Sequence, residues 1–327
     1  MSVSVERIAF CGEPAVLAQN EALAVTLVPG WGGNLISMRD KRRDVELLRV
    51  PTSEDEYLAE PILYGTPVLF PPNRIADGTF VFQGTEYRFH INEPADHNHS
   101  HGLVFGERWE LDAAECEGDG ILLRVRFDSA AHPAVLAQFP HRFGIELAYR
   151  LTDNVLMQET AITNRDDRAF PWGIGFHTTF RFPFRSGDDL ANCTFALHAD
   201  RQWELNERFL PTGRLFDIPF REEMRRGMSL VNRPLDDVFV AAGEGDGDNE
   251  AVLYDGNIGL KIIYCCDRRF GHWVVYNDDA RQGYLCPEPY TWVTNAPNLP
   301  LPETVTGLRV LQPGETAVVR TKLTIEG

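Results

Sequence analysis

Ile145-Glu146-Leu147-Ala148-Tyr149-Arg150-Leu151-Thr152-Asp153-Asn154 places a large apolar side chain at every second position and then turns, and the extended run resumes from Val155 to Thr163. Successive side chains of a strand point to opposite faces, so this period buries Ile145, Leu147, Tyr149 and Leu151 on one face of a sheet. The same period recurs outward in both directions. Ile121, Leu123, Val125 and Phe127 share one face, with Arg124 and Arg126 on the other. Ala22 to Pro29 reads as a strand, interrupted by Gly30-Trp31-Gly32-Gly33 and resumed from Asn34 to Met38, the form of a hairpin or bulge. Phe80-Val81-Phe82 and Tyr87-Arg88-Phe89 flank Gln83-Gly84-Thr85-Glu86, a second hairpin signal. Helical candidates are short: Glu54 to Ala59, Pro133 to Gln138 and Glu222 to Met228. None could cover a sheet. The acidic, glycine-rich Gly243 to Asn249 lacks the ligand spacing of a calcium loop and reads as a solvated hairpin tip. The pattern predicts an all-β chain, a large antiparallel β-sandwich forming one domain over residues 1–327.

With 327 residues and 43% hydrophobic content, the chain can bury a large core. A formal net charge of -17 argues against nucleic acid and anionic membrane surfaces as partners, because both attract basic patches. It also suits a neutral small molecule better than a highly phosphorylated one. Six cysteines without a Cys-x-x-Cys pair form neither a disulfide framework nor a zinc pattern, and read as reduced thiols. Met1 to Arg7 lacks a basic start and apolar core, and no apolar run approaches the ~18 residues that cross a bilayer. A cytoplasmic protein, monomer or homodimer, is expected.

Five places carry groups that chemistry could use. His97-Asn98-His99-Ser100-His101 would turn three imidazoles to one side of an extended strand, with Glu107 nearby, an arrangement a metal could use; the segment's polarity favours a loop with one functional histidine, and no role for any of the three is the remaining reading. Pro71-Pro72-Asn73-Arg74 sets a planar, permanently charged donor after a rigid proline pair. Leu235-Asp236-Asp237-Val238 offers two acids where a strand begins. Cys286-Pro287-Glu288-Pro289-Tyr290 holds a carboxylate rigidly among apolar groups, where desolvation raises its pKa and makes it a better base near neutrality. His177, in Gly173-Ile174-Gly175-Phe176-His177, reads by its own neighbours as a core histidine bonded to backbone, with a functional imidazole as the rival reading. Spacing alone does not bring these groups together.

In order and surroundings, however, they resemble the aldose 1-epimerase (galactose mutarotase-like) family, closest to its divergent bacterial members. The resemblance rests on Gly30-Trp31-Gly32-Gly33, Asn73-Arg74-Ile75 with Asp77-Gly78, Asn98-His99-Ser100-His101-Gly102, Gly175-Phe176-His177, His198-Ala199-Asp200, Leu210-Pro211-Thr212-Gly213, Leu235 to Val240, Pro287-Glu288-Pro289 and Leu311-Gln312-Pro313-Gly314. It implies a supersandwich with a sugar-binding cleft, and interconversion of the anomers of a free aldose without metal or other cofactor. Glu288 then matches the general base and His177 the general acid, while Arg74, His101, Asp236 and Asn73 fall where the family contacts the sugar. The chain departs from typical galactose mutarotases at Phe176, where they carry Asn, at Leu103, where they carry a second Gly, and in having Asp237 beside Asp236. A non-catalytic sugar-binding protein, a sugar-phosphate epimerase and a metalloenzyme built on the histidine cluster are the alternatives. On the leading reading, Glu288 and His177 are expected to face each other across a cleft the width of a pyranose. Trp31, Trp172, Trp203 and Trp292 are candidates to stack on the sugar or to fill the core.

Overall fold

The alternating run forms the hairpin its pattern dictates. Phe143–Thr152 and Val155–Asn164 pair antiparallel along their whole length, and Asp153 takes the left-handed conformation (φ 48°) at the turn. The structure, a computed structural model, describes residues 3–242 and 249–327. The hairpin lies inside an eight-stranded antiparallel sheet ordered Glu110–Glu117, Gly120–Asp128, Phe143–Thr152, Val155–Asn164, Thr316–Glu326, Leu260–Cys266, Glu250–Asp255 and Cys193–Leu197. A second large sheet runs Pro211–Asp217, Ala199–Leu205, Asp236–Ala241, His272–Tyr276, Tyr284–Tyr290, Gly175–Phe176 and Val68–Leu69, with Phe180–Arg181 pairing to Tyr284–Tyr290 off that path. The first strands, Ser4–Phe10 to Val45–Glu46, make a five-stranded sheet of their own, in which Leu23–Val28 and Asn34–Asp40 form the expected hairpin.

The two large sheets meet through aromatic side chains. Tyr264 of one lies with its ring centroid 5.6 Å from that of Trp273 of the other, edge to face. Burying one large apolar side chain contributes roughly 1.5–3 kcal/mol. The core runs continuously through Leu123, Leu147 and Val319 on one side and Phe239, Trp273 and Leu285 on the other. It is this shared core, and not the helices, that holds the layers together. The all-β sandwich read from the sequence is the architecture observed.

The short helices follow local signals. Glu54–Ala59 starts at Ser53, whose side chain accepts from Glu56 N, and Pro133–Gln138 starts on a proline whose missing N–H costs nothing there. The third helix is Arg221–Arg226, not 222–228: Gly227, at φ 106°, ends it early. Glu303–Thr306 is a further helix that the sequence reading did not find. The proposed hairpin tip at 243–249 falls, but for Asn249, outside the described residues.

Candidate active site

Register decides which side chains can meet. Asp236, Tyr276 and Cys286 are directly opposite one another across three strands, as are Val238, Val274 and Glu288, and then Val240, His272 and Tyr290. Opposed residues in an antiparallel ladder share a face, so all three rows point to one side of the second sheet. Asp237, Val275 and Pro287 point to the other. Gly175 extends the Tyr290 row, and His177, two residues on, returns to the same face.

On that face lies a cavity of about 470 Å³ lined by Asn73, Arg74, Glu93, His101, His177, Asp236, Glu288 and others. The six residues that the family resemblance pointed to, Asn73, Arg74, His101, His177, Asp236 and Glu288, are therefore gathered here. His177 and Glu288 do not straddle a pyranose; they touch, with His177 Nε2 3.2 Å from Glu288 Oε1. Both are buried. Burial pushes the Glu288 carboxyl well above its ordinary range, against the lowering effect of a hydrogen bond from Tyr290. Burial likewise holds the His177 imidazole down, to about 3. The Nδ1 side of His177 faces the Thr179 hydroxyl at 3.4 Å, which also receives Cys286 Sγ at 3.4 Å. His101 stands edge-on to His177, ring centroids 5.3 Å apart.

Arg74 is fixed on three sides. Its Nε donates to Glu93 Oε2 at 3.0 Å, its terminal nitrogen lies 3.9 Å from Asp236 Oδ2, and its guanidinium carbon sits 4.9 Å from the centre of the Phe209 ring. The loop that carries it is tied from behind, since Asn295 N donates to Arg74 O and Ala76 N to the Asn295 side chain. His101 comes from a segment that crosses the backbone of Phe70; a Cβ on Gly102, at φ 77°, would fall 2.4 Å from Phe70 C. Only glycine permits that crossing.

Several sequence readings are corrected by these placements. His97 and His101 are both left-handed (φ 54° and 67°), so the run 97–101 is not an extended strand and its imidazoles diverge. His97 pairs with Asp77 at the surface, His99 is buried with Nδ1 on His90 O, and Glu107 bonds His132. Only His101 of the three reaches the cavity. Trp31 stacks on Tyr57, and Trp172, Trp203 and Trp292 are buried; no tryptophan is among the cavity's lining residues, so all four fill core. Phe176 faces away from the cavity, toward Phe270, and does not touch the site. The sequence reading did not single out Glu93, Phe209, Tyr276 or Asp278, which line the cavity, or Tyr290 behind Glu288. Phe209 alone had a signal, as a lone aromatic in the polar loop before Leu210-Pro211-Thr212-Gly213.

A family model described as aldose 1-epimerase matches residues 14–324. The chain belongs to the aldose 1-epimerase family. Among curated proteins, it is 30% identical over 244 residues to the uncharacterized protein YihR of Escherichia coli strain K12, a match covering 73% of each chain. A galactose mutarotase-like protein from Clostridium acetobutylicum superposes with a TM-score of 0.94 at 28% identity over 99% of both chains. A galactose 1-epimerase from Lactobacillus acidophilus gives a TM-score of 0.75 at 15% identity, over 99% of this chain and 98% of that one, which is a likeness of fold.

In this member of the aldose 1-epimerase family the cavity is acidic. Arg74 faces Glu93 and Asp236 within it, and Asp278 and Glu288 add two further carboxyl groups. A second cavity of about 470 Å³, lined by Arg181, Arg185 and Arg281 with Asp188 and Tyr284, has no histidine and so lacks an imidazole–carboxyl pair.

Proposed function

We propose that this protein interconverts the α and β anomers of a free, uncharged aldose by general acid–base catalysis. The observation that carries the reading is the 3.2 Å contact of His177 with Glu288 at a cavity large enough for a monosaccharide. Ring opening removes the proton of the anomeric hydroxyl and delivers one to the ring oxygen. Both oxygens are bonded to the same carbon, so an acid and a base in contact can each reach one of them. With the one proton that the touching pair shares placed on His177, Glu288 takes the hydroxyl proton and His177 supplies the other. That transfer leaves a protonated carboxyl and a neutral imidazole, the forms that burial favours at both groups. Rotation about C1–C2 and reclosure, with the roles reversed, give the other anomer. Arg74, His101 and Asp236 hold the remaining oxygens, and the exposed Phe209 ring offers an apolar face. An anionic sugar is disfavoured, because the single guanidinium is already neutralised by Glu93 and Asp236.

Polarimetry of freshly dissolved α-glucose and α-galactose tests this. The protein should speed the decay of optical rotation, and Glu288→Gln and His177→Asn should each lower kcat by roughly 10²–10⁴-fold, the usual worth of a positioned proton transfer. Calorimetric binding of sugars with no acceleration of mutarotation would replace the reading with a carbohydrate-binding protein.

A further inference from the structure

Tyr290 is fully buried and is not among the residues that line the cavity, yet its hydroxyl donates to Glu288 Oε2. Asn73 Nδ2 donates to that same hydroxyl at 3.3 Å, while Asn73 Oδ1 accepts from Arg74 N at 2.7 Å. Both polar ends of Asn73 are thus engaged within the protein. The outcome is a directional chain, from amide to phenol to carboxyl group. It ends on the carboxyl oxygen that the phenol holds, while the other, Oε1, lies against His177.

We propose that Tyr290, held by Asn73, is the positioning residue that keeps Glu288 an acceptor and presents Oε1 alone to the reacting hydroxyl. The inference rests on the aldose 1-epimerase reading of the same site. Burial drives the Glu288 carboxyl toward its neutral form, and a neutral carboxyl is a poor base. A hydrogen bond donated to the charged form opposes that drive, and is strengthened when its donor itself accepts one. The surrounding chain holds the phenol in place. Gly175 lies opposite Tyr290 in the ladder, and a Cβ there would fall 2.3 Å from the ring's Cδ1, so the tyrosine ring occupies the space that this glycine leaves. Glu288 is in turn fixed between Pro287 and Pro289. Asn73 itself stands in the left-handed region, at φ 56°.

Tyr290→Phe removes the hydroxyl and leaves the ring. A hydrogen bond to a charged group is worth enough that kcat should fall roughly 10- to 100-fold, with KM changed by less than about twofold. Losing a donor to the ionised form raises the pKa of Glu288, so the acid limb of the kcat/KM profile should move to higher pH by about one unit or more. Asn73→Gly, which keeps the left-handed backbone, should move the limb the same way by less. The carboxyl infrared band that disappears in Glu288→Gln should titrate at higher pH in Tyr290→Phe, and this readout does not depend on activity. Near-ultraviolet circular dichroism confirms that the variants fold. An acid limb and a carboxyl band that stay in place in folded Tyr290→Phe would overturn the proposal, even if kcat fell. If the unaltered protein accelerates mutarotation of no sugar, the catalytic reading fails, while the infrared titration still decides whether Tyr290 governs Glu288.

Discussion

Asp236 and Asp237 are identical in chemistry and adjacent in sequence, and the pleat separates them. Asp236 shares a face with Tyr276 and lines the cavity; Asp237 points to the opposite face, where the Gln202 side chain donates to it at 2.6 Å. Burial, with Asp236 nearby, pushes the Asp237 carboxyl up to about 6, from an ordinary 3.8. The folded protein therefore holds this proton more tightly than the unfolded chain does. The resulting stabilisation is full below about pH 4 and is lost as pH climbs through about 6. Asp237→Asn cannot ionise and keeps an acceptor for Gln202. Its urea midpoint should exceed that of the unaltered protein at pH 8, and the gap should close by pH 4. A gap of the same size at both pH values would show that burial of the charge is not its cause. The sequence offered no means of choosing between the two acids except resemblance, because only strand register says which face each one takes.

At the scale of elements, pattern and turn chemistry were informative where they act locally. The hairpin at 79–88 turns on Gln83 and Gly84, both left-handed (φ 47° and 80°), a tighter turn than the four residues read from sequence. The helices Glu54–Ala59 and Pro133–Gln138 have the bounds read from the sequence, the first begun by the Ser53 cap and the second by its proline. Pieces as short as Gly175–Phe176 and Val68–Leu69 escape such reading, since two residues carry no period. Their reason for existing lies in their neighbours. Gly175 pairs with Tyr290 on one side and Leu69 on the other, and the tyrosine ring lies over it. Gly175→Ala should cost roughly 1–3 kcal/mol in a denaturant titration, the usual penalty of an overfilled core. It should also lower mutarotation, by displacing the phenol that holds Glu288. A variant of unchanged stability would mean that the ring has room to move.

For the whole molecule, a net charge of -17 works against the compact state, although many of its arginines are paired with carboxylates at the surface. Surface pairs contribute only ~0–1 kcal/mol each. They lie well within the Debye length of about 10 Å at 0.1 M salt, whereas the long-range repulsion is screened. The melting temperature should therefore rise as sodium chloride increases from about 0.01 to about 0.15 M. A fall would show that the surface pairs outweigh the net charge. The same contrast between local and long-range effects divides what could be read in advance. Alternation and turns are set by neighbouring residues, so the sequence alone determined the β-sandwich, its main hairpins and two of its helices. The ordered motifs also carried the family, and they named His177, Glu288, Arg74, His101 and Asp236, which the fold brings to one cavity. Only the tertiary structure decided that His177 and Glu288 touch, that Asn73 and Tyr290 stand behind them, and that the histidines of 97–101 part company. Those facts depend on strand register and on backbone crossings between segments more than a hundred residues apart, such as Asn73 and Tyr290. No spacing along the chain records them.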